Sequence, residues 1–309
     1  MAVGVAAGVA AGVAAAGLAA GCGSGSPPAP SARASTTPAR TSPTPARTSP
    51  ATARTSPATA PTRPPATPPP VPGSGATPAP AWLGTRVLPT DAAGHGIAAG
   101  TPPELVDRRI VTVDELPPPA DGAFHATVRA VPAAVAARST WSPRCPVTLA
   151  ELRHVTVGFR GFDGRPHTGE LMMHRDVADD VVAVFRRLWA ARFPIEAMRV
   201  TSPADLSAAP TGDGNTTASF ACRPTRGATT WSEHAYGRAV DVDPFENPYA
   251  AGDRVIPELA TAYLDRTRLR PGMITPDGPV VAAFRAVGWR WGGSWSTPRD
   301  LMHFSATGR

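Results

Sequence analysis

The residues of this chain that are best suited to metal chemistry lie in two short motifs. Residues 232–243 read Ser-Glu-His-Ala-Tyr-Gly-Arg-Ala-Val-Asp-Val-Asp and contain His234 and Asp241. A second motif near residue 300, Asp-Leu-Met-His-Phe, adds His303. Two imidazoles and one carboxylate, with a fourth position left to water, form the ligand set of a catalytic zinc ion. We therefore predict that His234, Asp241 and His303 bind zinc.

The second motif also carries a spare carboxylate, Asp300, three residues before its histidine. A hydrolytic zinc site needs a group that accepts the proton of the attacking water. We predict that Asp300 is this general base. The alternative is that Asp300 only caps a turn or orients His303.

The side chains that follow the glycine turn of the first motif alternate in character. Ala239, Asp241 and Asp243 would lie on one side, and Val240 and Val242 on the other. This period is typical of a strand with one buried face, so a rigid element would aim Asp241. Asp243 is expected to face solvent or to lie beside the ligands.

Taken together and in order, these motifs carry a family resemblance. Ser-x-His-x-x-Gly-x-Ala-x-Asp, followed by Trp-Gly-Gly-x-Trp and Asp-x-x-His-Phe, resembles the zinc D-alanyl-D-alanine carboxypeptidases. That family includes phage L-alanyl-D-glutamate endopeptidases and shares its fold with the Hedgehog signalling domain. The matching positions are Ser232, His234, Gly237, Ala239, Asp241, Trp291, Gly292, Gly293, Trp295, Asp300, His303 and Phe304. The resemblance spans roughly residues 143–304 and departs at Ser294, where many relatives have an acidic residue.

The resemblance implies an α+β fold in which helices pack on a small antiparallel sheet. It also implies an arginine on the strand at residues 219–223 that faces the metal and binds a substrate carboxylate or the oxyanion; Arg223 is the candidate, against an ordinary surface arginine. We assign Ser232, Tyr236 and Trp295 to substrate binding. The two aromatic residues could equally be core residues beside the metal.

The first 81 residues are not expected to form a globular domain. Residues 1–22 are an apolar run that ends Leu-Ala-Ala-Gly-Cys, which is typical of an export signal with a lipoprotein acceptor at Cys22. The alternative is a signal peptide with an incidental cysteine. Residues 23–81 are rich in Pro, Ala, Thr and Ser, with Ala-Arg-Thr-Ser-Pro repeating every seven residues. Such a segment buries too little apolar surface to fold, so a disordered linker is expected.

The remaining chain is divided into two parts. Residues 82–142, broken by prolines, are interpreted as an extension that packs on the catalytic domain, and residues 143–309 as that domain. Within it, strands are predicted at 152–159, 195–200 and 289–291, with a return strand at 170–174 that completes a hairpin. Helices are predicted at 176–192, 258–268 and 279–287, and a loop at 203–215.

Two cysteines, Cys145 and Cys222, remain after Cys22. In an exported protein two such cysteines are expected to pair, so we predict a disulfide. The alternative is two separate buried thiols.

The charge balance argues against a nucleic-acid partner. The chain has a net charge of +6, and residues 1–80 hold five arginines and no acid, so the rest is close to neutral. No basic stripe of the kind that binds nucleic acid occurs in it. A monomer is expected.

These observations predict an exported zinc peptidase that is tethered to the membrane and acts on the peptide part of peptidoglycan. The bond that is cut, and whether the enzyme is an exo- or an endopeptidase, stay open. Two alternatives remain: a zinc-stabilised cell-wall binding module without turnover, and a structural lipoprotein that spans the wall.

Overall fold

A computed structural model describes residues 74–225 and 227–309. The predicted export signal with Cys22 and most of the predicted linker segment lie outside the described residues. The strands are β1 (Ala126–Ala130), β2 (Leu152–Arg160), β3 (Pro166–His174), β4 (Ala197–Met198), β5 (Thr216–Thr217), β6 (Ala239–Asp241), β7 (Tyr249–Ala251), β8 (Arg254–Ile256), β9 (Arg290–Trp291), β10 (Arg299–Asp300) and β11 (His303–Ser305). The α-helices are α1 (Ala133–Arg138), α2 (Ala178–Ala190), α3 (Pro203–Ser207) and α4 (Pro279–Arg285).

The longest pairing is the predicted hairpin of β2 and β3. The two strands are antiparallel and in register from Leu152 opposite His174 to Arg160 opposite Pro166. On its other edge β2 pairs antiparallel with β1, so the sheet order is β1-β2-β3. Most of the hairpin is buried because helices cover it.

Helix α2 begins and ends two residues inside the predicted limits of 176–192. Val181, Val184, Phe185 and Leu188 lie three or four residues apart and are at most 1% exposed. This spacing forms one apolar stripe that packs in the main core with α4 and the hairpin. The acidic residues of α2 lie in its first turn and an arginine in its last, as the helix dipole favours.

A second small sheet, in the order β6-β11-β9, carries the motif residues. Because successive side chains of a strand point to opposite faces, Phe304 of β11 faces away from His303. Phe304 is fully buried and stacks on Phe284 of α4, with ring centroids 4.0 Å apart. Burial of such a ring stabilises the fold by about 1.5–3 kcal/mol. The same strand therefore anchors in the core and presents a histidine on its other face.

The segment interpreted as a packed extension makes specific contacts with the rest of the chain. Leu105 and Ile110 are buried in one apolar cluster with Phe245 and Tyr263. Strand β1 adds an edge to the hairpin, as described above. The last residues of the segment assigned to the linker are also described, and Thr77 forms a parallel bridge with Ile110.

The fold is mixed, with helices and several small sheets, most of which are antiparallel. It differs from the prediction, which had a single antiparallel sheet. The sheets are β1-β2-β3, β10-β7-β8, β6-β11-β9 and the parallel pair β4-β5. The predicted strand at 195–200 is reduced to β4, which pairs with β5. None of the helices in residues 74–225 and 227–309 has the length and apolar character needed to span a membrane.

Two predicted elements are wrong. The helix predicted at 258–268 is a single 3-10 turn at Thr261–Leu264, because Asp265 Oδ1 accepts hydrogen bonds from the backbone and side chain of Thr267 instead. The loop predicted at 203–215 begins with α3, whose first turn is capped reciprocally by Ser202 and Asp205. That capping pair is visible in the sequence as Ser-x-x-Asp.

A group of buried carboxylates lies beside Arg108. The guanidinium donates from Nε and Nη2 to the two carboxylate oxygens of Glu196, each at 2.7 Å, and Asn215 donates to the same carboxylate at 2.9 Å. Glu246 is fully buried, and among the described residues neither of its carboxylate oxygens has a hydrogen-bond partner. Burial, reinforced by the charge of Glu196, raises the pKa of Glu246 to about 8, although Arg108 opposes the shift. Glu246 is therefore protonated in the folded protein at neutral pH.

We expect Glu246→Gln to stabilise the protein at alkaline pH and to have little effect near pH 5. The folded-state pKa lies above the ordinary value of 4.5, so the folded chain binds a proton that the unfolded chain releases. The stability of the wild type therefore falls as pH rises from about 4.5 through 8. The variant should lose the part of this dependence that Glu246 contributes, while the part from buried Asp243, whose pKa burial also raises, remains. Thermal unfolding at pH 5.5 and 8.5 would reveal the difference between the variant and the wild type.

The matched control is Glu104→Gln, at an exposed carboxylate. At pH 8.5 the free energy of unfolding of Glu246→Gln should exceed that of the wild type by about 1 kcal/mol or more, and that of the control should not. Such a difference corresponds to a rise of several degrees in Tm. Equal effects of Glu246→Gln at both pH values would contradict the protonation argument.

Candidate metal centre

His234 lies on a short 3-10 helix, Glu233–Tyr236, which begins after Ser232 and ends at Gly237. Ser232 caps its start, because its Oγ accepts a hydrogen bond from the backbone N–H of His234 at 3.3 Å. Gly237 ends the helix with φ of +66°, a conformation that glycine adopts without strain. The Ser-x-His-x-x-Gly spacing is thus the signature of one capped turn.

Gly237 is required for a second reason, which is close backbone packing. A Cβ atom at this position would lie 2.7 Å from the backbone nitrogen of His174, at the end of β3. That nitrogen donates a hydrogen bond to the carbonyl oxygen of Gly237 at 2.8 Å. The turn that carries His234 is therefore fastened directly to the main hairpin.

The other two predicted ligands face each other across a strand pair. In the antiparallel register of β6 and β11, His303 lies directly opposite Asp241. His303 Nδ1 is 3.0 Å from one carboxylate oxygen of Asp241, and His234 Nε2 is 3.2 Å from the other. The two imidazole nitrogens are 3.2 Å apart. The structure thus brings together all three residues.

The distal nitrogen of each imidazole faces a main-chain oxygen, which has no hydrogen to donate. His234 Nδ1 donates to the carbonyl oxygen of Ser219, and His303 Nε2 donates to the main-chain oxygen of Arg309 at 2.9 Å. Such an oxygen can only accept, so each distal nitrogen carries the hydrogen. The proximal nitrogens of the neutral rings are therefore lone pairs that point at each other and at Asp241.

Three acceptors that converge in this way need a cation between them. Donor atoms about 2.0–2.1 Å from a tetrahedral zinc ion lie about 3.3 Å from one another, close to the 3.0–3.2 Å that separate these atoms. Burial lowers the pKa of His303, but the hydrogen bond and charge of Asp241 outweigh it and raise this pKa to about 9. The two histidines hold the pKa of Asp241 well below its usual range. The electrostatics of the cluster therefore favour positive charge, and its geometry fits a metal ion.

Asp300 lies beside this cluster, on the short strand β10, opposite Tyr249 of β7. Burial raises the pKa of its carboxyl to about 7, the charge of Asp241 adds to the rise, and His303 and Arg223 oppose it. Its Oδ1 is buried and has no hydrogen-bond partner among the described residues. A carboxylate poised near neutrality beside three metal-type ligands is suited to accept and return a proton.

The Trp-Gly-Gly sequence of the resemblance has a packing explanation. A Cβ atom on Gly292 would lie 2.8 Å from the carbonyl oxygen of Asp300 and 3.0 Å from its Cβ. A Cβ atom on Gly293 would lie 2.2 Å from the ring of Trp291, whose Nε1 donates to the carbonyl of Leu301 at 2.8 Å. Gly292 lets Asp300 pack closely against this turn, and Gly293 leaves room for the ring of Trp291.

The remaining candidates occupy different surroundings. Trp295 stands beside a predicted ligand, with its ring 5.7 Å from that of His303. Ser232 is buried as a helix cap, and Tyr236 packs against the cluster around the two cysteines. The assignment of Ser232, Tyr236 and Trp295 to substrate binding stays a prediction.

Two expectations for the site are wrong in detail. Arg223 is not on a strand: residues 219–223 have irregular backbone, and the Arg223 guanidinium donates to the carbonyl of Pro224 at 3.1 Å. Its charge nevertheless acts on Asp300, as the pKa of that group shows. Asp243 does not face solvent but is fully buried, because β6 ends at Asp241 and a φ of +41° at Asp243 turns its side chain inward.

Cys145 and Cys222 are joined by a disulfide, with an S–S distance of 2.03 Å. The bond links residues that are 77 apart in sequence. In the chain-entropy model, closing a loop of this length stabilises the folded state by about 4–5 kcal/mol. It ties the irregular segment that carries Arg223 to the entry of the domain.

The segment that holds the three convergent ligands and Asp300 matches a known family. Residues 226–306 match the model of the D-alanyl-D-alanine carboxypeptidase family. The resemblance deduced from the motifs is thereby confirmed, and it indicates a peptidase. The match contains the three convergent ligands and Asp300, but neither Arg223 nor the cysteines. No curated protein and no solved structure matches the chain.

The sequence interpretation missed the two groups that orient the imidazoles. Both are main-chain oxygens, of Ser219 and Arg309, so no residue type marks them.

We expect Gly237→Ala to destabilise the protein strongly. Alanine at a positive φ costs about 1–2 kcal/mol, and the added methyl group would also meet the backbone of His174. The total should be roughly 3 kcal/mol or more, measured by chemical denaturation.

Gly252→Ala is the matched control. Gly252 also has a positive φ, of +58°, but no atom lies within 4 Å of the added Cβ. This variant should show the cost of the backbone conformation alone. Equal destabilisation by the two variants would contradict the role of the contact with His174.

Proposed function

We propose that this protein is an exported, zinc-dependent peptidase that hydrolyses peptide bonds in peptidoglycan stem peptides or cross-links. The observation that carries the proposal is the convergence of His234, Asp241 and His303, with Asp300 poised beside them. The family match supports the reaction class and the cell-wall substrate. The Hedgehog-type fold implied by the resemblance belongs to the same proposal.

The two histidines and Asp241 would hold the ion and leave a fourth position open. Zinc bound there supplies a Lewis acid that activates water and polarises the scissile carbonyl. Ser219 and Arg309 keep both imidazoles in the tautomer that presents a lone pair. Trp295 lies beside His303, with the two rings tilted and their centroids 5.7 Å apart.

Asp300 performs the proton transfers in this mechanism. Its carboxylate accepts a proton from the attacking water and returns it to the leaving amine, so one group serves as base and then as acid. A bound dication would lower the raised pKa of Asp300 and keep the carboxylate ionised near neutrality. Arg223 balances the charge of Asp300 and is the candidate that steadies a substrate carboxylate or the developing oxyanion.

The N-terminal features fit the same proposal. An export signal places the domain outside the membrane, a lipid on Cys22 would anchor it, and residues 23–81 would act as a stalk that lets an anchored domain reach into the wall. The Cys145–Cys222 disulfide fits an oxidising compartment. The protein would act on its substrate as a monomer.

The second candidate function is a zinc-stabilised cell-wall binding module. A purely structural metal site needs neither a buried base nor an arginine that acts on it. The raised pKa and unpartnered oxygen of Asp300 therefore favour the enzyme.

We expect His234→Ala and His303→Ala each to lose zinc, because two protein ligands cannot hold the ion tightly. The measurement is metal content per protein after dialysis, together with Tm. The wild type should retain one equivalent, and both variants should melt lower than the zinc-loaded wild type. His125→Ala, at an exposed histidine, is the control and should keep its metal. One equivalent of zinc retained in both ligand variants would overturn the proposed site.

We expect Asp300→Asn to retain zinc and stability while its turnover of purified muropeptides falls by about 10²-fold or more, the scale of a lost general base. Asparagine keeps the size of the side chain and loses its basicity. Cleavage would be followed by mass spectrometry, with Asp277→Asn, at an exposed carboxylate, as control. Near wild-type cleavage by Asp300→Asn would remove it from the mechanism. A zinc-loaded wild type that cleaves no muropeptide would favour the binding module.

A further inference from the structure

Residues 305–309 fold back against the second metal motif. Ser305 is fully buried, and its Oγ accepts a hydrogen bond from the backbone N–H of Gly308 at 3.1 Å. The same hydroxyl donates to the main-chain oxygen of Arg309 at 2.8 Å. Gly308 has φ of +82°, and a Cβ atom there would lie 2.5 Å from Arg290 Cδ. These contacts define one tight turn, which we call the tail turn.

The tail turn ends on a ligand of the metal centre. The main-chain oxygen of Arg309 accepts from His303 Nε2 at 2.9 Å as well as from Ser305. In the neutral ring, which is the form that binds a metal, His303 Nδ1 is thereby left as the lone pair that faces Asp241. A ring that is free to rotate or to exchange tautomers would spend part of its time with a hydrogen on Nδ1.

The two histidines differ in what orients them. His234 is held by the carbonyl of Ser219, whose own hydroxyl both donates to and accepts from the backbone of Met172 in β3. That acceptor is fixed by the core. Among the described residues, the hydrogen bond to the main-chain oxygen of Arg309 other than that of His303 comes from Ser305, in a tail turn whose Ala306 N–H donates to the carbonyl of Arg238 at 3.0 Å.

We propose that the tail turn is a positioning element of the metal centre: Ser305 places the main-chain oxygen of Arg309, which orients His303 for metal binding. The inference rests on the proposed zinc site and adds residues outside the metal motifs to it. Partners of this kind fix the tautomer and raise the basicity of the ligand, and their loss typically weakens metal affinity 10–100-fold.

The first test compares removal of residues 307–309 with Arg309→Ala in the full-length chain. The deletion removes the main-chain acceptor, whereas Arg309→Ala keeps it and changes only an exposed side chain. Zinc affinity, measured by competition with a chromogenic chelator, should fall 10–100-fold for the deletion and stay within about twofold of wild type for Arg309→Ala. The absorption spectrum of the Co²⁺-substituted protein should change for the deletion only.

The second test is Ser305→Ala, which leaves the chain length unchanged and removes only the hydroxyl that holds the turn. It should also weaken zinc binding, with the metal-free protein retaining a cooperative melting transition. Wild-type zinc affinity in both the deletion and Ser305→Ala would overturn the inference, as would a lower Tm of the metal-free protein with unchanged affinity. A wild-type protein that binds no zinc would instead overturn the proposed function from which the inference starts.

Discussion

The structure depends on a carboxylate that lies between two imidazoles and requires a positive charge, from a proton or a metal ion, beside it. Asp241 faces the proximal nitrogens of His234 and His303 at 3.0–3.2 Å, and both distal nitrogens are committed to main-chain oxygens. In the neutral rings both proximal nitrogens are lone pairs, so either a proton on His303 or a metal ion must supply the positive charge that Asp241 requires. The surrounding elements hold it together because each ligand is carried by a separately fastened piece of backbone: a capped turn on the hairpin, a buried strand, and a strand anchored by Phe304.

The chemistry of the site could be predicted further than its scaffold. The three residues that meet were identified from spacing, because Ser-x-His-x-x-Gly encodes one capped turn and alternation after it encodes a strand. Alternation failed at Asp243, where a positive φ reverses the direction of the side chain. The orienting oxygens of Ser219 and Arg309 could not be predicted, since every residue has a carbonyl and only the folded chain selects which one is used.

One of the two failures in secondary structure has the same origin, whereas α3 carries the local Ser-x-x-Asp signal of its first turn. Residues 258–268 do have helical apolar spacing. However, the hydroxyl of Tyr263 accepts a hydrogen bond from the backbone N–H of Arg108, and its ring packs on Phe245. These tertiary contacts, together with the local turn at Asp265, take the place of a helix. Residues far apart in sequence decide such a segment, and local periodicity does not report them. The hairpin and α2 were predicted well because their contacts are mostly local and repeat with a regular period.

The pairing of β6 with β11 has a consequence for folding. A slip of one residue between these strands would turn His303 to the opposite face and bring Phe304 towards Asp241. Both strands are three residues long, so the backbone ladder alone discriminates weakly between registers. The stacking of Phe304 on Phe284 at one face and the pairing of His303 with Asp241 at the other both require the register in which His303 lies opposite Asp241. An ion bound at this site would therefore also favour the correctly paired chain, and metal availability would influence how much of the protein reaches its native register.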